Sequence, residues 1–144
     1  DLASHQFDLL DFLFGPIENT EGFANNIAGL YEAEDSVNAA FRFASGLSGS
    51  GSWSFVAPQN TRTDLIDFVG TEGKLTFSTF EFTPIKLETA EGIQEFREEN
   101  PENIQYFLIE SIVRYLNGEG NLPVSTGISA ARTNWVMDRI LGKL

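Results

Sequence analysis

The chain has 144 residues, 42% of them hydrophobic and 12% aromatic, which supplies a real core for one domain and argues against wholesale disorder. Its 21 acidic and nine basic residues give a formal net charge of −12, a surface that repels phosphate backbones and anionic membranes and so argues against nucleic-acid or membrane partners. It has no cysteine, which excludes disulfides, thiolate metal sites and cysteine nucleophiles and fits a reducing, cytoplasmic compartment.

The first segment, Leu2 to Phe14, reads as a helix. Leu2, Leu9, Leu10, Phe12 and Leu13 fall on one arc at 3.6 periodicity, and Gly15-Pro16 stops it. A strand is predicted from Ile17 to Gly29, irregular around Asn25-Asn26. "DSVNAAFRFASG" then alternates, with Val37, Ala39, Phe41 and Phe43 on one side and Asn38, Ala40, Arg42 and Ala44 on the other. "GLSGSG" reads as the connection to "SWSFVAP", which closes a β-hairpin. "DLIDFVG" and "KLTFSTF" form a second pair around "GTEG". "PIKLET" and "IQEFRE" form a third around Ala90-Glu91-Gly92. Asn100 as cap and Pro101 in the first turn open a helix through "ENIQYFLIESIVRYLN" to Gly118. Ser125 or Thr126 caps the last helix, "ISAARTNWVMDRIL", which ends near Gly142.

The order is one helix, a run of strands joined by short turns, then two helices. This predicts an α+β fold over residues 1–144: one mostly antiparallel open sheet with helices packed on one face. The opposite face carries Ala, Ser and Thr more than charge, so it is free for a partner, and a homo-oligomer through the open sheet face is expected. No apolar run approaches the ~20 residues needed to span a bilayer.

Few residues carry candidate chemistry. "GLSGSG" joins two strands and does not lead from a strand into a helix, so it is no phosphate loop, and neither GxGxxG nor GxxxxGK[ST] occurs. One histidine and no cysteine leave no metal site to expect; "EFREENPEN" lacks the spacing of a calcium loop. Trp53, Trp135 and the phenylalanines read as core or interface. Asp1 and His5 remain. At i and i+4 they lie about 40° apart on one helix face, at the border between a polar arc of Ser4, Asp8 and Asp11 and the apolar arc. A carboxylate beside an imidazole can orient it and stabilise its protonated form, which suits proton transfer to or from a substrate hydroxyl. The same spacing also describes a helix-capping aspartate and a surface histidine.

The chain as a whole is similar to one family. "DLASHQFDLLDFLFGPI" resembles the D-[LI]-G-x-H-x-[IL]-D-x-[LI]-x-x-L-x-G helix of the Gfo/Idh/MocA oxidoreductases. "EDSVNAAFRFASGLSGSGSWSF" is similar to their E-D hairpin, "FVGTEGKLTFSTF" to their I-x-G-[TS]-x-G-x-[LI] strand pair, and "GEGNLPVSTGISAARTNWVMDRIL" to their terminal segment. The resemblance covers essentially the whole chain but only the C-terminal domain of the family. Members carry, ahead of it, a Rossmann domain that binds NAD or NADP and holds a catalytic lysine in E-K-P, and this sequence contains neither. The resemblance implies that Asp1 and His5 are the family's aspartate and histidine, near the nicotinamide and the reacting carbinol, with His5 as acid/base. Ala3 stands where members often have Gly. Ser129 stands where many have an acid, which puts any role for that position in doubt.

Two functions follow as expectations. One is the substrate and oligomerisation half of an NAD(P)-dependent oxidoreductase acting on a small molecule, a sugar, a polyol or a related ring alcohol, inactive without its cofactor domain. The other is a non-catalytic small-molecule-binding or oligomerisation module. A preceding GxGxxG domain with E-K-P distinguishes the first from the second.

Overall fold

A computed structural model describes residues 2–144. In chain order the elements are α1 (Leu2–Phe14), β1 (Ile17–Asn25), β2 (Ser36–Phe43), β3 (Ser48–Ser54), β4 (Ile66–Val69), β5 (Gly73–Phe77), β6 (Ile85–Thr89), β7 (Gly92–Phe96), α2 (Tyr106–Leu116) and α3 (Gly127–Ile140). The class is α+β with open antiparallel sheets, as expected. The strands fall into two hydrogen-bonded sets, β1-β2-β3 and β4-β5-β6-β7, where a single sheet was expected. After β3 the chain leaves the ladder through Pro58 and a 3-10 turn at Gln59–Thr61, and proline has no N–H to extend one. Two compact units result. One runs to Thr61 and resumes at Val124; the other is Arg62–Pro123.

The first unit is built on β2. Ala39, Phe41 and Phe43 are buried while Asn38, Ala40 and Arg42 are exposed, the alternation read from the sequence. Phe7 of α1, Ile17 of β1 and Val136 and Ile140 of α3 complete the core. Its rings meet edge to face: Phe7 and Phe41 lie 5.5 Å apart, and Phe14 and Phe43 also 5.5 Å. α3 packs directly on β1 at Gly22. A Cβ there would stand 2.6 Å from the Asn38 carbonyl oxygen and 2.8 Å from Ile140 Cγ2, so only glycine admits the helix.

Two boundaries in this unit differ from expectation, and a third, the Thr126 cap, agrees with it. β1 ends at Asn25 because the buried Asp35 carboxylate draws the next residues out of the ladder, accepting from the N–H of Ile27 at 2.8 Å and of Ala28 at 2.9 Å. The β2–β3 turn is the shorter stretch around Gly46, whose φ is 89°, and Ser48 to Gly51 belong to the strand. Gly49 and Gly51 serve packing rather than turning. Gly49 leaves room for the Phe41 ring, and Gly51 lies under the Trp53 indole. α3 is capped by Thr126 in a reciprocal box with Ser129, whose hydroxyl accepts the Thr126 N–H at 2.9 Å.

In the second unit the pairing register puts Ile66, Phe68, Leu75, Phe77 and Leu87 on one face. Lys74, Thr76, Lys86, Glu88 and Glu95 line the other, where Lys74–Glu88 and Lys86–Glu95 are paired at 3.7 Å. That second face is charged, not the small-residue surface expected for "KLTFSTF". α2 starts at Tyr106 and not at Pro101. Asn103 closes a local turn first, its side chain accepting the Gln105 N–H at 3.0 Å and its carbonyl the Tyr106 N–H at 2.9 Å. The apolar side of α2, including Leu108, Ile109 and Ile112, is exposed. The helices that pack on a sheet face are therefore α1 and α3, on the three-stranded sheet. Among the described residues no helix is long and apolar enough to cross a membrane.

Candidate functional site

α1 is apolar on two sides. One arc, Ala3, Phe7, Leu10 and Phe14, enters the core together with Asp11. The other, Leu2, Phe12 and Leu13 with the half-buried Leu9, lies toward the surface, with Phe12 59% exposed. His5 is exposed and, at 100° per residue, lies within this second arc. The sequence reading put these residues on one arc with Leu10, which alone of the five packs against the core. Periodicity finds an apolar arc but cannot tell a buried one from a free one. Asp1 lies outside the described residues.

Three polar contacts fix the helix that carries His5. Next to His5, the Gln6 side-chain carbonyl accepts the Trp53 indole N–H at 2.5 Å. One turn on, the Asp8 carboxylate accepts the Ser125 hydroxyl at 2.9 Å. At Asp11 the Arg132 guanidinium closes a two-pronged pair, Nε to Oδ1 at 2.9 Å and Nη2 to Oδ2 at 2.5 Å. Asp11 is buried, whereas the Arg132 side chain is 45% exposed. The hydrogen bond to Asp11, with the charges of Asp11 and Asp8 added, holds the guanidinium above its ordinary range against the opposing effect of burial. From the sequence Trp53 was expected as core or interface, Ser125 as a possible cap and Asp8 and Asp11 as a polar arc; none was read as a support for His5. The available signal was polar residues at α1 positions that turn out to face α3 and β3, and it needs the tertiary fold to be read.

The site is thus an exposed imidazole on a helix held rigidly from behind, set in an apolar surface. An imidazole so placed can give or take a proton from a group laid against that surface. Among the described residues no group of three or more His, Asp or Glu side chains could hold a metal ion. Ser129, where an acid was noted as missing, is 7% exposed and serves the α3 cap.

Comparison with known proteins gives a consistent result. The family profile described as the GFO/IDH/MocA C-terminal domain matches residues 1–76. Oxidoreductase P35 of Formosa agariphila is 30% identical over 142 residues, 99% of this chain and 42% of that protein. Among solved structures, UDP-N-acetylglucosamine 3-dehydrogenase GnnA from Acidithiobacillus ferrooxidans superposes with a TM-score of 0.82 at 12% identity, over 100% of this chain and 46% of that one. The WlbA dehydrogenase from Bordetella pertussis, solved with NADH and UDP-GlcNAcA, gives 0.72 at 23% identity, over 99% and 40%. The chain spans less than half the length of each of these proteins.

Proposed function

The chain belongs to the Gfo/Idh/MocA oxidoreductases as a C-terminal domain, and from that premise we propose that it forms the substrate half of an NAD- or NADP-dependent dehydrogenase acting on a sugar, a polyol or a sugar nucleotide. The observation that carries this is His5, exposed within an apolar arc on a helix anchored by Gln6, Asp8 and Asp11. The nicotinamide, when bound, supplies the hydride acceptor or donor. The exposed Leu2, Phe12 and Leu13 offer an apolar surface beside the imidazole. In this reading the cofactor's diphosphate is held by a dinucleotide-binding domain of the kind the family resemblance implies. In this reading His5 removes the carbinol proton as the alcohol is oxidised and returns it in the reverse direction. Asp1, four positions earlier in the sequence, is given the part of orienting the imidazole in this reading. The chain alone is then inactive. The sugar-nucleotide substrate class draws support from GnnA and WlbA, whose names carry it.

The test uses the full-length enzyme with NAD⁺ and NADP⁺ against a panel of UDP-N-acetylhexosamines, free sugars and polyols. His5→Ala is expected to lower kcat by about 10²–10⁴-fold with a smaller change in KM. Wild-type turnover by His5→Ala on a substrate the enzyme oxidises would remove the imidazole from the chemistry.

The same reading includes a homo-oligomer through an open sheet face. It is supported by the outer face of β1-β2-β3, where Ala40 pairs with Ser50 and Asn38 with Ser52, and where Phe23 is 79% exposed. Ala40→Arg is expected to shift the mass in light scattering toward the monomer. An unchanged mass would move the contact elsewhere.

A further inference from the structure

We propose that Trp53 is a positioning residue for His5, acting through Gln6. The inference rests on the reading of His5 as the acid/base. His5 lies in the first turns of α1, where a helix frays because its leading N–H groups have no partner in the helix itself. The Asp8–Ser125 contact holds the helix three residues further on and the Asp11–Arg132 pair six, about 9 Å along the axis. Beside His5 stands Gln6, bound by a residue 47 positions away on β3.

The donor is itself held. Trp53 is paired with Val37 through the backbone, and its indole lies 5.3 Å from the Phe7 ring. Gly51, two residues back on the same face, has no side chain, and that gap is what the indole occupies: an alanine Cβ at position 51 would collide with its ring. So the sequence S-G-S-G-S-W-S, which looks like a flexible connection, is a strand whose glycine lets a tryptophan fold back and reach α1. The bond sets the rotation of the first turn. Gln6 follows His5 by 100° around the helix, so a slip at Gln6 turns the imidazole away from its working direction. Misplacing a reacting group by about 1 Å can cost ~100-fold in rate.

The experiment compares Trp53→Phe, Gln6→Leu, their double variant and Gly51→Ala in the full-length enzyme. Each single variant is expected to lower kcat about 10- to 100-fold with KM and melting temperature little changed. The double variant should be no slower than the slower single one. Gly51→Ala touches neither Gln6 nor His5 and should reproduce Trp53→Phe. A substrate-independent readout runs beside this. The ¹³C-labelled His5 ring signal, assigned by its absence in His5→Gln, should shift in all three single variants. An unmoved signal in Gln6→Leu and Trp53→Phe overturns the proposal, as does strict additivity in the double variant. If Trp53→Phe does not fold, Gln6→Leu decides the question alone. If His5→Gln is fully active while the His5 signal still shifts in Trp53→Phe and Gln6→Leu, the acid/base reading is discarded and the positioning contact kept. If His5→Gln is inactive while the signal stays unmoved in those two variants, the reverse holds.

Discussion

Thr133 on α3 is 5% exposed, and its hydroxyl has no hydrogen-bond partner among the described residues. A buried hydroxyl left unpaired carries its full desolvation cost, so Thr133→Val, nearly the same shape, is expected to raise stability by about 1 kcal/mol in urea denaturation. The Asp11–Arg132 pair makes an asymmetric prediction. Arg132→Met strands a buried carboxylate and should cost about 2–3 kcal/mol. Asp11→Leu leaves a guanidinium that water already reaches, so its cost should be the smaller of the two. The pair's response to base follows from the raised guanidinium pKa. A group whose folded pKa is raised stabilises fully below its unfolded value and loses that effect only above the folded one, here beyond any working pH. The stability gap between wild type and Arg132→Met should therefore be the same at about pH 7 and pH 10; a gap that closes by pH 10 would remove Arg132 as the charged partner.

At the level of elements, Gly22 is the contact that fixes α3 on β1. Gly22→Ala is expected to destabilise by about 1–3 kcal/mol, because the Asn38 carbonyl is backbone and cannot move aside as a side chain would. A loss below about 0.5 kcal/mol would mean that α3 shifts freely on the strand. Much of this architecture was legible in the sequence. α1 has its predicted bounds, β2 alternates as read, and Gly92 and Gly118 turn the chain at φ 131° and 74° where glycine was expected to do so. What was not legible shares one cause. Which apolar arc of α1 is buried, why Gly51 precedes Trp53, and why β1 stops before Asn26 all depend on residues distant in sequence: β2 and α3 in the first case, the indole in the second, Asp35 in the third. The candidate site divides the same way. His5 stood out as the single imidazole, whereas Gln6, Trp53 and Arg132 acquire a role only once β3 and α3 lie against α1.

On the scale of the whole molecule, the first unit is made from both ends of the sequence, with Arg62–Pro123 set between them as the second. Phe7, Ile17 and Phe41 share their core with Val136 and Ile140, contributed more than ninety positions later. Removing the residues after Pro123 is expected to abolish amide protection in β1 and β2, and retained protection there would show that α3 is dispensable. The same arrangement constrains how the protein is made. On the ribosome, α1 and the first hairpin emerge before α3 and cannot close their core until Ile140 has cleared the exit tunnel. For that whole interval Phe7, Phe14, Phe41 and Phe43 lack the α3 half of their cover. A nascent chain in that state is a natural client for chaperones, and slowing translation between β3 and α3 would prolong its exposure.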